Sequence, residues 1–357
     1  ADNNTAVGYA ALTTLNGGTQ NTAVGQSAGA AMTTGIRNTI VGTNAGDALT
    51  DADDNTAVGM LALSTCILGS ANTAVGKDAL EDCNPASAVT MYNSAFGQGA
   101  GANLTTGTFN TFIGALSGGG ANLTGTHNCA SGMESLYGLV DGKYNCGLGY
   151  QSGAGITSGE YNICIGYQAG KASTPIVSGT GNVTIGGYAK TSAEAGNYQN
   201  VLGYNVTGVG NGNFTFGNAG SDSNIANGAT SISAPSDQRY KEEIADATAG
   251  LAFIKDLRPV TFKWKKEKDV PSDHPSYVEG SDTRVMNSSG ETNHGFIAQE
   301  VKAAIDNHSE LKDGFDMWTV DEQDTTNGRQ RLSDGALVPM LVKAIQELEA
   351  RIATLEG

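Results

Sequence analysis

The sequence is short of what enzymes and nucleic-acid binders are usually built from. Of its 357 residues only 16% are charged and 6% aromatic, with four histidines, five cysteines and seven prolines. Twenty basic residues against 36 acidic ones leave a net charge of −16, which disfavours nucleic acid and anionic membrane surfaces as partners. No run of ~20 apolar residues exists, so no helix is expected to span a bilayer. The cysteine spacings resemble no zinc site, and neither a metal nor a cofactor is expected. No signal peptide opens the chain. Starting at Ala1 in mid-pattern and without Met, it reads as a piece of something longer.

Glycine is plentiful, with 50 residues, and not at every third position, which excludes a collagen helix. Many of the glycines close a pentad that returns about every 17 residues: NTAVG at Asn4, Asn21, Asn55 and Asn72, NTIVG at Asn38, NSAFG at Asn93. The pentad drifts through NTFIG at Asn110, NCASG at Asn128, NCGLG at Asn145, NICIG at Asn162 and NVTIG at Asn182, with a shortened copy at Asn200 and a last one at Asn213. Self-similarity at a fixed period means one structural unit stacked on the next. Residues 1–217 are therefore expected to form a mainly β repeat shaft, residues 218–235 a linker, and residues 236–357 a second, α+β domain.

Counting from each Asn as position 0, the columns of the repeat have separate duties. The Asn amides are expected to stack as a ladder. Position 3 (Val7, Val24, Val41, Val58, Val75, Phe96, Ile113, Leu148, Ile165, Ile185) is expected to face the core. Position 4 is Gly, which suggests positive φ or close backbone approach. Position 7 is only ever Ala or Ser, a column with no room, and position 11 is a second apolar column. Two copies are lengthened, by segments holding Pro85 and Pro175, and these bulges are candidate receptor contacts, although a tolerated surface insertion explains them as well.

Cys66 and Cys83 share position 11 of consecutive copies, and Cys129 and Cys146 share position 1. Rungs ~4.8 Å apart would bring each pair within disulfide reach. Met32, Leu49, Leu104, Leu139 and Ile156 fill the column of the first pair, which favours small buried hydrophobes instead. His127 is the single histidine before residue 218, so no catalytic or metal cluster is expected there. The Thr column (Thr5, Thr22, Thr39, Thr56, Thr73) hints at an ice-binding face, but later copies replace it. The acids of the repeats follow no paired arrangement suited to glycoside hydrolysis.

This part of the chain resembles trimeric phage tail fibres and the heads of trimeric bacterial adhesins. The resemblance implies three chains, either coiling separately as a trimeric β-solenoid or interwoven as a triple β-helix. The tight position-7 column favours the interwoven form.

Residues 236–357 hold 15 of the 20 Lys and Arg and both tryptophans. The opening SDQRYKEEI (Ser236 to Ile244), LRPVTFKWK (Leu257 to Lys265), HGFIAQEV (His294 to Val301) and LVPMLVKAIQELEARI (Leu337 to Ile352) resemble, in order, the intramolecular chaperone at the C-terminus of phage endosialidases and tail fibres. That resemblance implies autoproteolysis between Pro235 and Ser236, with Ser236 as nucleophile and Lys241 as general base, acting on its own chain and on no external substrate. A hydroxyl nucleophile needs an adjacent base, and a lysine serves as one only where burial or nearby positive charge lowers its pKa. A spacing of five does not place two side chains on one helix face, so the dyad requires a turn or a second chain. Taken alone, Ser236 also fits a helix N-cap, with Asp237, Glu242 and Glu243 favouring a helix start.

Val338, Leu341, Ile345, Leu348, Ile352 and Leu355 alternate spacings of three and four, the seam of a coiled coil. β-Branched residues at a with Leu at d favour a parallel dimer by rule, the resemblance a homotrimer. The resemblance further implies a virion tail fibre, folded in the host cytoplasm, extracellular after release, and binding a cell-surface receptor, glycans included. A surface adhesin with a passive, uncleaved trimerisation domain is the competing expectation.

Overall fold

A computed structural model describes residues 2–120, 122–274, 276–311, 314–320 and 329–356. The chain divides into two compact units, residues 1–237 and residues 238–357. Among the described residues no helix is long and apolar enough to cross a membrane.

The first unit is a β-solenoid. Thirteen short strands, from Thr5–Val7 to Asn213–Asn218, stack in chain order in one parallel sheet. Each pairs in register with its counterpart in the next copy, Thr22 with Thr39 and Val24 with Val41 for example. Since neighbouring rungs are consecutive in one chain, the chain coils by itself. The interwoven triple helix is ruled out by this pairing, and the parallel stack of 13 rungs at ~4.8 Å rises roughly 60 Å.

Four of the expected columns are where the repeat puts them. From Asn21 to Asn182 each Asn is buried, and its side chain bridges rungs. The Nδ2 of Asn21 donates to the Gly35 carbonyl at 2.8 Å, while its Oδ1 accepts the backbone N–H of Asn38 at 2.9 Å. Position 4 tolerates nothing but glycine: at Gly25, with φ +140°, a Cβ would sit 2.4 Å from the Gly42 carbonyl oxygen. The Ala and Ser of position 7 are buried from Ala28 to Ala189, and Met32, Leu49, Cys66, Cys83, Leu104, Leu139 and Ile156 fill the core from position 11.

The position-3 column does not face the core. Strand side chains alternate sides, and position 2 points inward: Ala23, Ile40, Ala57, Ala74, Ala95, Phe112, Ala130 and Cys164 have no solvent exposure. Positions 1 and 3 therefore point out, and Val7, Phe96, Ile113, Leu148 and Leu202 are 43–57% exposed. The core is thin enough that Ala suffices to fill it, so the larger aliphatics stay outside.

The shortened copy is also shifted by one residue. Asn200 opposes Val183 at position 1, and Gln199 takes the ladder position, its N–H donating to Asn182 Oδ1 at 3.0 Å. Part of the expected linker is structured: Ser221–Ala226 pairs antiparallel with the last rung, and Asn224 bridges to Ser233. Of the two lengthened copies, the first exposes residues 86–90, whereas the second turns inward, burying Ile176 in the core and packing Pro175 against Gly155.

Among the described residues the second unit packs three α-helices, α1 (Leu251–Asp256), α2 (Ala298–Asn307) and α3 (Leu337–Glu356), with two antiparallel strand pairs. Its core joins Phe253 of α1, Val301, Ala304 and Ile305 of α2, and Leu311, Met317 and Leu337.

Candidate functional site

Pro235 and Ser236 are exposed and lie in irregular backbone at the end of the first unit. No α-helix begins at Ser236, so the N-cap reading fails: residues Gln238–Tyr240 form a single 3₁₀ turn, closed by the N–H of Lys241 on the Gln238 carbonyl at 3.0 Å. Lys241 follows that turn and is exposed. The chain turns between Ser236 and Lys241, and both side chains are exposed, without the burial that a lysine base calls for.

The motifs downstream form one substructure. Val260–Phe262 of the LRPVTF segment pairs antiparallel with Asn293–Gly295 of the HGFIAQEV segment, Thr261 opposite His294. The rest of that second segment becomes α2, whose Glu300 carboxylate takes a bidentate bond from the Arg258 guanidinium. This ion pair is exposed and contributes little to stability. Its value is geometric, holding strand and helix in register. His294 sits in the strand pair, apart from Ser236 and Lys241 in sequence, and its exposed side chain takes no part in the domain core.

His308, at the C-terminal end of α2, was not marked out by sequence. Its ring lies edge-on to Phe253, with Nε2 2.9 Å from Asp256 Oδ2 and Nδ1 3.1 Å from Glu310 Oε1. Two carboxylates against two ring nitrogens favour the doubly protonated ring, and the Asp256 bond above all raises its pKa, with Glu310 adding to it. The ion pair ties the end of α1 to the end of α2.

Helix α3 has two apolar faces. Leu337, Met340 and Ala344 pack on the domain core or are buried, and the Glu347 carboxylate accepts the N–H of Leu251 at 3.0 Å, capping the start of α1. Val338, Leu341, Ile345, Leu348, Ile352 and Leu355 lie on α3 and remain 43–86% exposed. The seam residues are therefore not the helix's own core contacts. Sequence periodicity picked out these six residues but said nothing of the inner face.

Residues 236–310 match the family described as chaperone of endosialidase. The match opens at Ser236 and spans α1, the strand pair and α2. No curated protein and no solved structure matches the chain. Residues 236–310, which follow the β-solenoid, are thus similar to that chaperone family.

Proposed function

We propose that the protein is a trimeric phage tail-fibre fragment whose C-terminal domain aligns three chains and then cuts itself away. The observation that carries this reading is the start of the chaperone match at Ser236, one residue before the division between the two units ends the first.

The alignment problem follows from the rungs. Shafts set side by side present nearly the same residues at every step, so an offset of one whole rung changes little of what they bury. A domain that associates first, through the exposed seam of α3, removes that ambiguity before the shafts join. Once they have joined, the domain is dispensable, and its loss removes the aligned start for reversal, which leaves the shaft kinetically trapped.

In the cut itself, Ser236 Oγ attacks the Pro235 carbonyl carbon while its proton passes to the Lys241 amine, which returns it to the departing Ser236 nitrogen. The Pro235–Ser236 amide becomes an ester on Oγ, and water then hydrolyses it to a Pro235 carboxylate and a free Ser236 amine. The released shaft attaches to a host cell-surface receptor, and the exposed residues 86–90 of the first lengthened copy are the contact best supported by exposure.

Ser236→Ala tests the assignment. The parent chain is expected to run on a denaturing gel as fragments of about 235 and 122 residues, from a cut after residue 235 of 357, and the variant as one full-length band that still forms trimers. Two bands from the variant refute the nucleophile. A parent that remains uncut but trimeric selects the second reading, a surface adhesin with a passive trimerisation domain, which the exposed seam accommodates equally.

A further inference from the structure

The two stacked cysteine pairs have different surroundings. Cys66 and Cys83 are enclosed in the solenoid core, their sulfurs 3.3 Å apart and the Cys83 sulfur 3.3 Å from that of Met91. The contact with Cys66, and after it burial, pushes the Cys83 thiol far above its ordinary range. A thiol held protonated and out of reach is inert. These two are packing residues, as their column suggests.

Cys129 and Cys146 stand at position 1, on the outward side of the strands. They are directly opposed in the parallel pairing of Cys129–Ser131 with Cys146–Leu148. Opposed residues of neighbouring strands lie ~4.8 Å apart, inside the ~4.4–6.8 Å between Cα atoms that a disulfide bridges. Both side chains leave the sheet on the same side, Cys129 exposed and Cys146 half-buried, and both thiols are free. Earlier rungs place Thr or Ser here, residues that fill the position without sulfur.

We propose that Cys129 and Cys146 form a thiol modification site, which a low-molecular-weight disulfide closes into an intrachain bridge between two consecutive rungs. The Cys129 thiolate attacks one sulfur of the oxidant R–S–S–R, expelling RS⁻ and leaving a mixed disulfide on Cys129. Cys146 then loses its proton and attacks the Cys129 sulfur, expelling the second RS⁻. Two protein thiols are oxidised to one disulfide, and the oxidant is reduced to two RSH. The order follows from access and acidity: Cys129 is exposed, while burial first, and the neighbouring Cys129 second, raise the Cys146 thiol. A reducing compartment keeps the bridge open and an oxidising one closes it. Closed, it prevents these two rungs from separating.

The test exposes the full-length protein to oxidised glutathione, blocks remaining thiols after unfolding with N-ethylmaleimide, and maps chymotryptic peptides by mass without reduction. The expected result is a Cys129–Cys146 linked pair, with Cys66, Cys83 and Cys164 recovered as maleimide adducts. Cys146→Ser should leave Cys129 carrying one glutathione, and Cys129→Ser should leave Cys146 largely unoxidised. Serine is the natural occupant of this column at Ser94, so both variants keep the fold. Separate glutathione adducts on Cys129 and Cys146 without a link, or both residues recovered as maleimide adducts, overturn the proposal.

Discussion

Asn145 hands its side-chain N–H to the Gly159 carbonyl at 2.7 Å and receives, on its Oδ1, both the backbone and the side-chain N–H of Asn162 at 3.0 Å. One buried amide thereby closes its own rung and anchors the next. Replacing Asn145 by Leu leaves the Gly159 carbonyl and the backbone N–H of Asn162 without partners, while the Asn162 side chain keeps its bond to the Gly179 carbonyl. We expect a loss of about 2–6 kcal/mol, from two groups that each cost ~1–3 kcal/mol when stranded. Thermal unfolding followed by far-UV circular dichroism would register it as a lower midpoint, and an unchanged midpoint would mean the ladder is ornamental.

The position-4 glycines should be the least replaceable residues of the shaft. At Gly59, with φ +139°, a methyl group would meet the Gly76 carbonyl oxygen at 2.4 Å. Gly59→Ala is predicted to cost at least about 3 kcal/mol and to reduce soluble yield. Gly220, with nothing within 4 Å of its absent Cβ, supplies the control, and Gly220→Ala should stay within about 0.5 kcal/mol of the parent. Equal effects at the two sites would contradict the packing described.

Helix α3 allows its two faces to be tested apart. Ile345 is 64% exposed and Ala344 only 4%. Ile345→Glu should leave the domain folded while converting trimers to monomers in light scattering, since a charge in an apolar seam forbids association. Ala344→Glu should unfold the domain instead. Trimers that survive Ile345→Glu would remove the seam from the assembly.

The His308 bridge predicts a pH dependence of the C-terminal unit. A folded-state pKa raised above the unfolded value means protons are bound more tightly in the native state. The stabilisation is therefore fully present below about pH 6.5, the ordinary histidine value, and is lost as pH rises through the elevated folded pKa. Glu310, lowered by hydrogen bonding to its own backbone and then by His308, sets the acid limit, since its contribution is lost as pH falls through its depressed pKa. Both tryptophans, Trp264 and Trp318, belong to the C-terminal unit, so their fluorescence reports its unfolding without interference from the shaft. His308→Gln should flatten the decline between pH 6.5 and 8.5, with a difference on the order of 1 kcal/mol at the acid end. Parallel pH profiles for parent and variant would show that the bridge carries no net charge coupling.

What sequence revealed and what it hid divide along physical lines. The Asn, Gly and Ala/Ser columns were legible because each has a local constraint that few residues satisfy: a double hydrogen bond, a blocked Cβ, a filled space. Position 3 was misread because a three-residue strand has two outward and one inward side chain, and a run such as Thr22-Ala23-Val24 does not say which apolar residue is inside. Volume decides it, and volume depends on how thin the core is. The shift at Gln199 was hidden because one longer amide replaces another in the ladder. Equally unsignalled were the left-handed corners at residues such as Leu63, Tyr144 and Tyr161, with φ between 55° and 57°. A strained backbone there costs about 1–2 kcal/mol, and the stacked rings of Tyr144 and Tyr161, 4.8 Å apart, supply part of the compensation. In the C-terminal unit the heptad spacing picked out residues that α3 leaves exposed. His308 stayed hidden because its partners are separated from it by 52 residues on one side and two on the other.

The strand Ser221–Ala226 runs opposite to the thirteen before it. A parallel stack can in principle recruit one more identical layer at its open edge, from its own chain or from a stranger. Reversing direction at the final layer changes the spacing of the donors and acceptors on offer, so an incoming copy of the repeat no longer finds its match. The last few residues of the coil thereby act as a full stop, sparing a protein made of interchangeable layers from growing into a fibre.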